Sequence, residues 1–208
     1  MAEGTPDRSA RDALVEATAR RLWAADEGEL RILDICQETG LSTSVIYGHF
    51  RSRQGLVDAA LLTILTEVTD GIVEGIEGVL DGPHPTGRFL DSLHRYVTDP
   101  TLEREHTRNR QAYFRVAASA LARPSLRPGF LEVYARYMGR CGELYDGAVG
   151  RGLLPASLTG RQWALLLESQ MVARALHDLD ADWDDQGDWL LALTRLASAH
   201  GASPTLTP

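Results

Sequence analysis

The chain has 208 residues, of which 44% are hydrophobic and 24% are charged. This composition is typical of a globular protein and argues against intrinsic disorder, and the length suits a small domain joined to a larger one. The net charge of −8, from 21 basic and 29 acidic side chains, repels nucleic acids and acidic membranes in bulk. Any binding of DNA must therefore rest on a local positive surface.

Neither a membrane span nor a secretion signal is expected. No apolar stretch approaches the ~20 residues that cross a bilayer, and the first residues lack the basic and apolar regions of a signal peptide. Cys36 and Cys141 are the two cysteines, too few for a disulfide framework or a zinc site. We therefore expect a cytoplasmic protein with two free thiols and no membrane partner.

Helical periodicity recurs along the whole chain, while strand signals are nearly absent, so we expect an all-α fold of about nine helices. Three short helices are predicted near the N-terminus, followed by one long helix. Glycine and proline separate the later helices. The predicted helices after the first three span residues 54–80, 86–98, 103–121, 129–150, 159–177 and 188–200. This order predicts a helix-turn-helix domain at residues 8–53 and a helical bundle at residues 54–202.

Residues 32–50 have the spacing of two helices joined by a tight turn. Gly40 supplies the positive φ that commonly ends a helix, and Ser42 is a favoured N-cap for the next one. Leu41 is expected to fill the angle between the two helices. The side chains expected to face the core are Ile32, Ile35, Cys36, Ile46 and Phe50.

The second of these helices has the features of a DNA-reading element. Its first turn carries short polar side chains, and its N-terminus presents free backbone N–H groups to a phosphate. No acidic residue lies between Leu41 and Gln54, so this short region is locally positive. The side chains expected on its outer side or just after it are Ser42, Thr43, Ser44, Tyr47, His49, Arg51 and Arg53.

The strings from Asp34 to Ser42 and from Ile46 to Leu56 resemble the signature of the TetR family of bacterial transcriptional regulators. The likeness covers the first quarter of the chain; beyond it, only the number and order of helices match. The resemblance implies a homodimer whose two recognition helices enter successive major grooves of a pseudo-palindromic DNA operator. It also implies a C-terminal bundle that binds a small-molecule effector and forms the dimer.

The resemblance assigns roles within the first domain. It implies that Thr43 and Ser44 face the bases, and that Tyr47 and His49 contact phosphates. Arg53 stands where the family usually has a lysine. Two positions depart from the pattern: Gly48 replaces a residue that often touches DNA, which also weakens the helix by ~1 kcal/mol, and Leu30 replaces a threonine whose phosphate contact Arg31 can supply. The predicted DNA-binding residues are Arg31, Ser42, Thr43, Ser44, Tyr47, His49 and Arg53.

The implied ligand cavity is predicted where aromatic and soft side chains would converge in the bundle, although the same pattern also suits an ordinary core. An apolar or aromatic effector fits these residues best. The four glycines between Gly71 and Gly82 suggest that the long helix acts as a lever between the two domains. The predicted pocket residues are Val68, Phe89, Leu93, Tyr96, Phe114, Tyr137, Met138, Cys141, Trp163 and Gln170.

Two apolar stripes near the C-terminus predict the dimer interface, as a four-helix bundle with the symmetry mates, although packing within one subunit also accounts for some of their residues. The first stripe runs along one flank of the helix predicted at residues 159–177, and the second along residues 188–200. The first consists of Trp163, Leu166, Leu167, Gln170, Met171 and Arg174, and the second of Trp189, Leu190, Leu193, Leu196 and Ala197.

No catalytic constellation, metal site or cofactor motif is found. The aspartates from Asp178 to Asp184 imitate a calcium loop, but Trp183 and Trp189 occupy its glycine and glutamate positions. Glu103 and His106 match half of a di-iron motif that has no second half. The sequence therefore predicts a ligand-responsive repressor that needs no cofactor and is not an enzyme. The alternatives are a helical protein-interaction module that has lost DNA binding and, more remotely, an enzyme built on a helical bundle.

Overall fold

A computed structural model describes residues 5–83, 92, 93, 95, 96, 99 and 101–179. Within these ranges the chain forms α-helices and one 3₁₀ helix and no strand, so the expected all-α fold is confirmed. The 3₁₀ helix spans Glu27–Glu29. The α-helices are α1 (Thr5–Ala24), α2 (Ile32–Thr39), α3 (Thr43–Phe50), α4 (Arg53–Asp81), α5 (Glu103–Ala122), α6 (Arg127–Gly150) and α7 (Gly160–His177).

The boundaries of α4 to α7 lie within two residues of the predicted helices, because glycine, proline and capping residues end each periodic stretch. One prediction is wrong: α1 has 20 residues and is not short. Of the helix predicted at residues 86–98, Ser92, Leu93, Arg95 and Tyr96 are described, and all four are helical. The helix predicted at residues 188–200, and with it the second dimer stripe, lies outside the described residues.

The described residues form two compact units. One contains the chain up to Val68 together with Arg115–Val133, and the other contains Thr69–Phe114 and the chain from Tyr134 onward. The predicted boundary after Arg53 therefore falls near the start of α4 rather than at the division between the units. Sequence reasoning missed that part of α5 and the start of α6 belong with the N-terminal helices.

The first unit is built around apolar side chains that the short helices could not bury alone. Isolated helices as short as α2 and α3 are unstable in water, so their packing decides whether they form. Leu14, Ile35, Ile46 and Leu56, from four successive helices, are all completely buried. Each such burial stabilises the fold by roughly 1.5–3 kcal/mol.

Ion pairs join the helices of the first unit at its surface. Arg20 and Arg21 of α1 donate to the two carboxylate oxygens of Glu38 at 2.9 and 2.8 Å, and these hydrogen bonds hold the pKa of Glu38 below its ordinary value. Arg123 forms two hydrogen bonds with Glu27, at 2.8 and 2.9 Å. This second pair links the residue just after α5 to the 3₁₀ helix.

The second unit has two apolar clusters. One contains Ile76, Leu93, Tyr145 and Trp163, and the other contains Val73, Tyr137, Cys141 and Ala164. The rings of Tyr145 and Trp163 stack with their centroids 5.3 Å apart. At the start of α7, Thr159 and Gln162 form a capping box, which satisfies two otherwise unpaired backbone N–H groups.

Candidate nucleic-acid interface and ligand cavity

The connection between α2 and α3 has the geometry of a helix-turn-helix. Gly40 ends α2 with φ 69° and ψ 11°, a left-handed conformation that disfavours residues with a Cβ. Ser42 occupies the N-cap position of α3, as predicted, but its hydroxyl caps no backbone N–H group. Instead, the hydroxyl oxygens of Ser42 and Ser44 lie 2.7 Å apart. The predicted N-cap position of Ser42 is therefore confirmed, but its side chain does not accept the hydrogen bond from a backbone N–H group that defines a side-chain cap.

The outer face of α3 consists of small and polar side chains. Thr43, Ser44 and Gly48 are exposed, and half of the Tyr47 surface is open to solvent. Ile46 and Phe50 on the opposite side are buried, which fixes the orientation of the helix. The structure thus brings Thr43, Ser44 and Tyr47 together on one accessible surface.

The other predicted DNA-binding residues have different environments. His49 is half-buried, with its ring centroid 6.0 Å from that of Phe50. Arg31 is exposed at the N-cap of α2. Arg53 is half-buried, and its guanidinium donates hydrogen bonds to the backbone carbonyls of Glu27 and Leu30. The exposed Arg51 was not among the predicted site residues, although it directly follows α3.

The second unit contains a cavity of about 210 Å³. Its apolar wall comes from α4 and the middle of α7, with Leu93 and with Leu102 just before α5. The polar wall combines residues of α5 and α7 with Tyr96 and with Tyr137 of α6. The apolar residues are Ile72, Ile76, Leu93, Leu102, Leu167 and Met171; the others are Gly71, Tyr96, Glu105, His106, Asn109, Arg110, Tyr137, Gln170 and Arg174.

Four of the ten predicted pocket residues line this cavity: Leu93, Tyr96, Tyr137 and Gln170. Five of the other six are described but do not line this cavity, because a side chain that faces inward can meet a core as readily as a cavity. Trp163, Cys141 and Met138 belong to the packed clusters of the same unit.

Three further predicted pocket residues lie elsewhere. Val68 is buried in the first unit. Phe114 is 40% exposed and does not line the cavity. Phe89 lies outside the described residues.

Close approach of a helix backbone shapes one side of the cavity. A Cβ atom added at Gly75 of α4 would lie 1.9 Å from the Tyr96 hydroxyl oxygen, so the tyrosine rests directly on the α4 backbone. The ring of Tyr96 also meets the ring of His106 edge-on, at a centroid distance of 5.1 Å. Burial raises the pKa of Tyr96, with a further contribution from the negative charge of Glu105. Tyr96 therefore stays neutral near pH 7.

Sequence reasoning missed the charged part of the polar wall, whose central feature is the buried Arg110. Its guanidinium donates to both oxygens of Asp178, at 2.9 and 2.8 Å, and to Glu103 at 3.0 Å. Arg174 lies 3.6 Å from the same Glu103 carboxylate. Burial by itself lowers the pKa of Arg110, but the hydrogen bonds and charges of Asp178 and Glu103 outweigh burial and raise it.

These four residues carry two positive and two negative charges, so the cluster is balanced. Their mutual attraction and hydrogen bonds offset part of the free energy that is lost when these charges leave water. The sequence signal that could have revealed this cluster is the seven-residue spacing of Glu103 and Arg110, which places both on one flank of α5. Asp178, however, is 68 residues away from Arg110, and no local pattern links them.

A second polar cluster, beside the packed core, ties three helices together. The hydroxyls of Tyr113 and Tyr134 donate to the two carboxylate oxygens of Glu168, at 3.1 and 2.5 Å. Burial and the Glu168 carboxylate raise the pKa of Tyr134 to about 12 and that of Tyr113 further. Burial raises the pKa of the Cys141 thiol to about 11, which agrees with its place in the packed core and gives no reactive thiolate.

The α7 flank predicted for the dimer lies mainly against its own unit. Leu167, Gln170, Met171 and Arg174 line the cavity, and Trp163 is buried in the core. These residues therefore face into their own unit. The exposed leucines in this part of the chain are Leu165, Leu176 and Leu179.

Among the described residues, no group of three or more His, Cys, Asp or Glu side chains is arranged to hold a metal ion. Within the same part of the chain, the helices are all too short or too polar to span a bilayer.

Solved structures with the same arrangement of helices include several transcriptional regulators. A TetR-family regulator from Rhodococcus sp. superposes with a TM-score of 0.64 and 24% identity, over 91% of this chain and 98% of its own. The chain has the TetR fold. The resemblance carried by the helix-turn-helix residues is therefore confirmed at the level of the fold.

Other proteins with the TetR fold are seen with small molecules. A regulator from Saccharomonospora viridis in complex with choline has a TM-score of 0.61 and 17% identity, over 92% of this chain and 96% of its own. The multidrug-binding protein EbrR, complexed with imidazole, has a TM-score of 0.57 and 20% identity, over 90% of this chain and 94% of its own. Neither a protein-family model nor a curated protein matches the sequence.

Proposed function

We propose that the protein is a TetR-family transcriptional regulator, a dimeric repressor that leaves its operator when a small molecule binds. The observation that carries this proposal is the accessible face of α3, where Thr43, Ser44 and Tyr47 follow a helix-turn-helix turn at Gly40. Short hydroxyl side chains can approach base edges, and a half-exposed tyrosine can reach a phosphate. The whole-chain likeness to regulators supports the same function.

Binding to DNA fragments from the flanking genomic region tests the proposal. We expect saturable binding in fluorescence anisotropy at low salt, with weaker binding to unrelated DNA. The double variant Thr43→Ala, Ser44→Ala should change the preferred sequence, while Ser169→Ala, an exposed serine of α7, should change nothing. Absence of binding to every flanking fragment would contradict DNA regulation and favour a protein-interaction module.

The proposed dimer uses the exposed leucines on and just after α7. Two copies are needed to read both halves of a pseudo-palindromic operator, and Leu165 and Leu176, about three turns apart on one side of α7, expose apolar surface that a second copy could cover. We expect Leu165→Glu with Leu176→Glu to produce monomers in sedimentation analysis. Leu121→Glu, at an 80% exposed leucine of the first unit, is the matched control. A monomeric parent protein would contradict the proposal.

The proposed effector is a small, mainly apolar or aromatic molecule held in the cavity. Its apolar wall favours such a ligand, and the amides of Asn109 and Gln170 can orient one polar group. Because α4 begins in the first unit and lines the cavity with Gly71, Ile72 and Ile76, ligand-dependent movement of α4 is the proposed route to the operator. The coupling is reciprocal: the operator must weaken effector binding by the same factor.

Two glycines of α4 give a matched test of the cavity. A Cβ atom at Gly71 or Gly78 would meet nothing within 4 Å, but Gly71 alone of the two lines the cavity. We expect indole, as an aromatic probe, to raise the melting temperature of the parent and of Gly78→Leu but not of Gly71→Leu. An equal effect on all three proteins would place the ligand elsewhere, and no effect on the parent would argue against an aromatic effector.

A further inference from the structure

Most arginines of the first unit are already used within it. Arg20 and Arg21 pair with Glu38, and Arg123 pairs with Glu27. Arg115 and Arg127 donate to the backbone carbonyls of Leu22 and Leu121, and the Arg11 guanidinium lies 5.5 Å from the centre of the Phe50 ring. These guanidiniums hold the fold together and have fewer donors left for another molecule.

Arg53 belongs to the same committed group. Its Nε and Nη2 atoms lie 3.3 and 3.1 Å from the Leu30 carbonyl oxygen, and Nη2 also donates to the Glu27 carbonyl. The Leu30 carbonyl belongs to the peptide bond that joins Leu30 to Arg31. Arg53 therefore fixes the backbone immediately before the N-cap of α2.

Arg31 and Arg51 differ from these arginines. Both are exposed, and neither has an ion pair or side-chain hydrogen bond with the part of the chain that the structure describes. They stand at two helix ends of the helix-turn-helix, Arg31 at the start of α2 and Arg51 at the end of α3. A guanidinium with all its donors available is suited to a phosphate group.

The backbone of Arg51 adds an independent observation. Its φ is 60°, the one positive φ of a non-glycine residue in the described chain, and its N–H group closes α3 on the Tyr47 carbonyl at 3.0 Å. Glycine would adopt this left-handed conformation more easily. Unfavourable backbone conformations are typical of functional positions, so an exposed arginine here indicates a role for its side chain.

We infer that Arg31 and Arg51 contact DNA phosphates directly, and that Arg53 is a positioning residue acting through the Leu30–Arg31 peptide. This assignment rests on the proposed DNA binding and reverses the expectation that Arg53 itself meets the DNA backbone. The ligand is the sugar-phosphate backbone of duplex DNA, on either side of the bases that face α3.

The salt dependence of DNA binding tests the inference, because each neutralised phosphate contributes about 0.9 to the slope of log K against log salt. For the proposed dimer, Arg51→Gly and Arg31→Gln should each reduce the slope by about 1.8. Arg51→Gly should at the same time raise the melting temperature, since glycine accepts the positive φ. Arg104→Gln, which removes an exposed charge from the second unit, should leave the slope unchanged.

A comparison with a double variant distinguishes a positioning role of Arg53 from a direct phosphate contact. If it acts through Arg31, Arg53→Gln should lower affinity, but the double variant Arg31→Gln, Arg53→Gln should have the same slope as Arg31→Gln alone. An additive loss of slope would make Arg53 a phosphate contact. Unchanged slopes in the Arg31 and Arg51 variants would overturn their assignment, whereas a parent protein that ignores DNA at low salt would overturn the proposed function instead.

Discussion

The outer face of α3 and the cavity of the second unit are both candidate binding surfaces, yet their polar groups are arranged differently. On α3, Thr43, Ser44 and Tyr47 are consecutive or one turn apart, and they project from a helix that is fixed by Ile46 and Phe50 on its other side. In the cavity, Arg110 is bound to Glu103 and Asp178, and the wall is assembled from residues far apart in the chain.

This difference indicates how each surface can be modified. Side chains on the face of α3 carry little of the fold, so they can change with the DNA sequence that is read. The charged cluster beside the cavity stabilises the second unit, so changes there affect folding before they affect recognition. The apolar wall and the two amides are the part of the cavity that is free to determine ligand choice.

The largest expected effect tests the structural role of the charged cluster. Arg110→Ala should reduce the free energy of unfolding by about 3–5 kcal/mol, because it leaves the Asp178 carboxylate without its cationic partner and Glu103 with Arg174 alone. Urea denaturation measures this loss. The double variant Arg110→Met, Asp178→Leu should recover most of it.

The matched control for this prediction is Arg151→Ala. Arg151 also lies 2.8 Å from a carboxylate, that of Asp81, but both side chains are largely exposed. Its loss should cost less than about 1 kcal/mol. Equal losses in the two variants would mean that burial does not distinguish the cluster from a surface pair.

An intermediate effect is expected at Gly55, near the start of α4. Here the α4 backbone packs closely against the backbone at the end of α3. A Cβ atom at Gly55 would lie 2.3 Å from the Phe50 carbonyl oxygen, which the backbone cannot avoid without moving. We expect Gly55→Ala to destabilise the protein by about 1–3 kcal/mol, measured by urea denaturation.

Gly48→Ala is the same substitution in open space and should have the opposite sign. A Cβ atom at Gly48 meets nothing within 4 Å, so alanine should stabilise α3 by up to ~1 kcal/mol. If both substitutions destabilised the protein, the free space around Gly48 and the close contact at Gly55 would not explain their effects.

The smallest expected effect concerns the tyrosines around Glu168. The folded pKa of Tyr134 is about 12, above the value of about 10 expected in the unfolded chain. Between about pH 10 and about pH 12 the unfolded chain therefore holds fewer protons, and stability falls as the pH rises. We expect Tyr134→Phe to make this fall shallower. Identical alkaline profiles for the variant and the parent would contradict this role for the cluster.

The helix-turn-helix could be predicted because its determinants are local. Gly40 at the turn, Ile46 and Phe50 on one side of α3, and Thr43, Ser44 and Tyr47 on the other all lie within a dozen residues. The periodicity of a short helix is enough to decide which of these face the core. The same reasoning could not foresee the partners of Arg53, whose carbonyl acceptors are more than twenty residues away.

The cavity could be predicted only in part, because periodicity identifies side chains that face inward but not what they meet there. Tyr137 and Cys141 lie one turn apart on α6, and both were predicted to line the pocket. Tyr137 lines the cavity, whereas Cys141 lies only in the packed core. The stripe of α7 was assigned to a dimer for the same reason. Five of its six residues line the cavity or lie in the core of their own unit.

The amino-acid sequence by itself determined the helical class, the ends of α4 to α7 and the residues on the face of α3. Each of these depends on interactions between residues a few positions apart. The tertiary structure decided which arginines remain available, where α5 and α6 divide between the two units, and which inward-facing residues enclose a cavity. These depend on contacts between distant parts of the chain, which local propensity and periodicity do not specify.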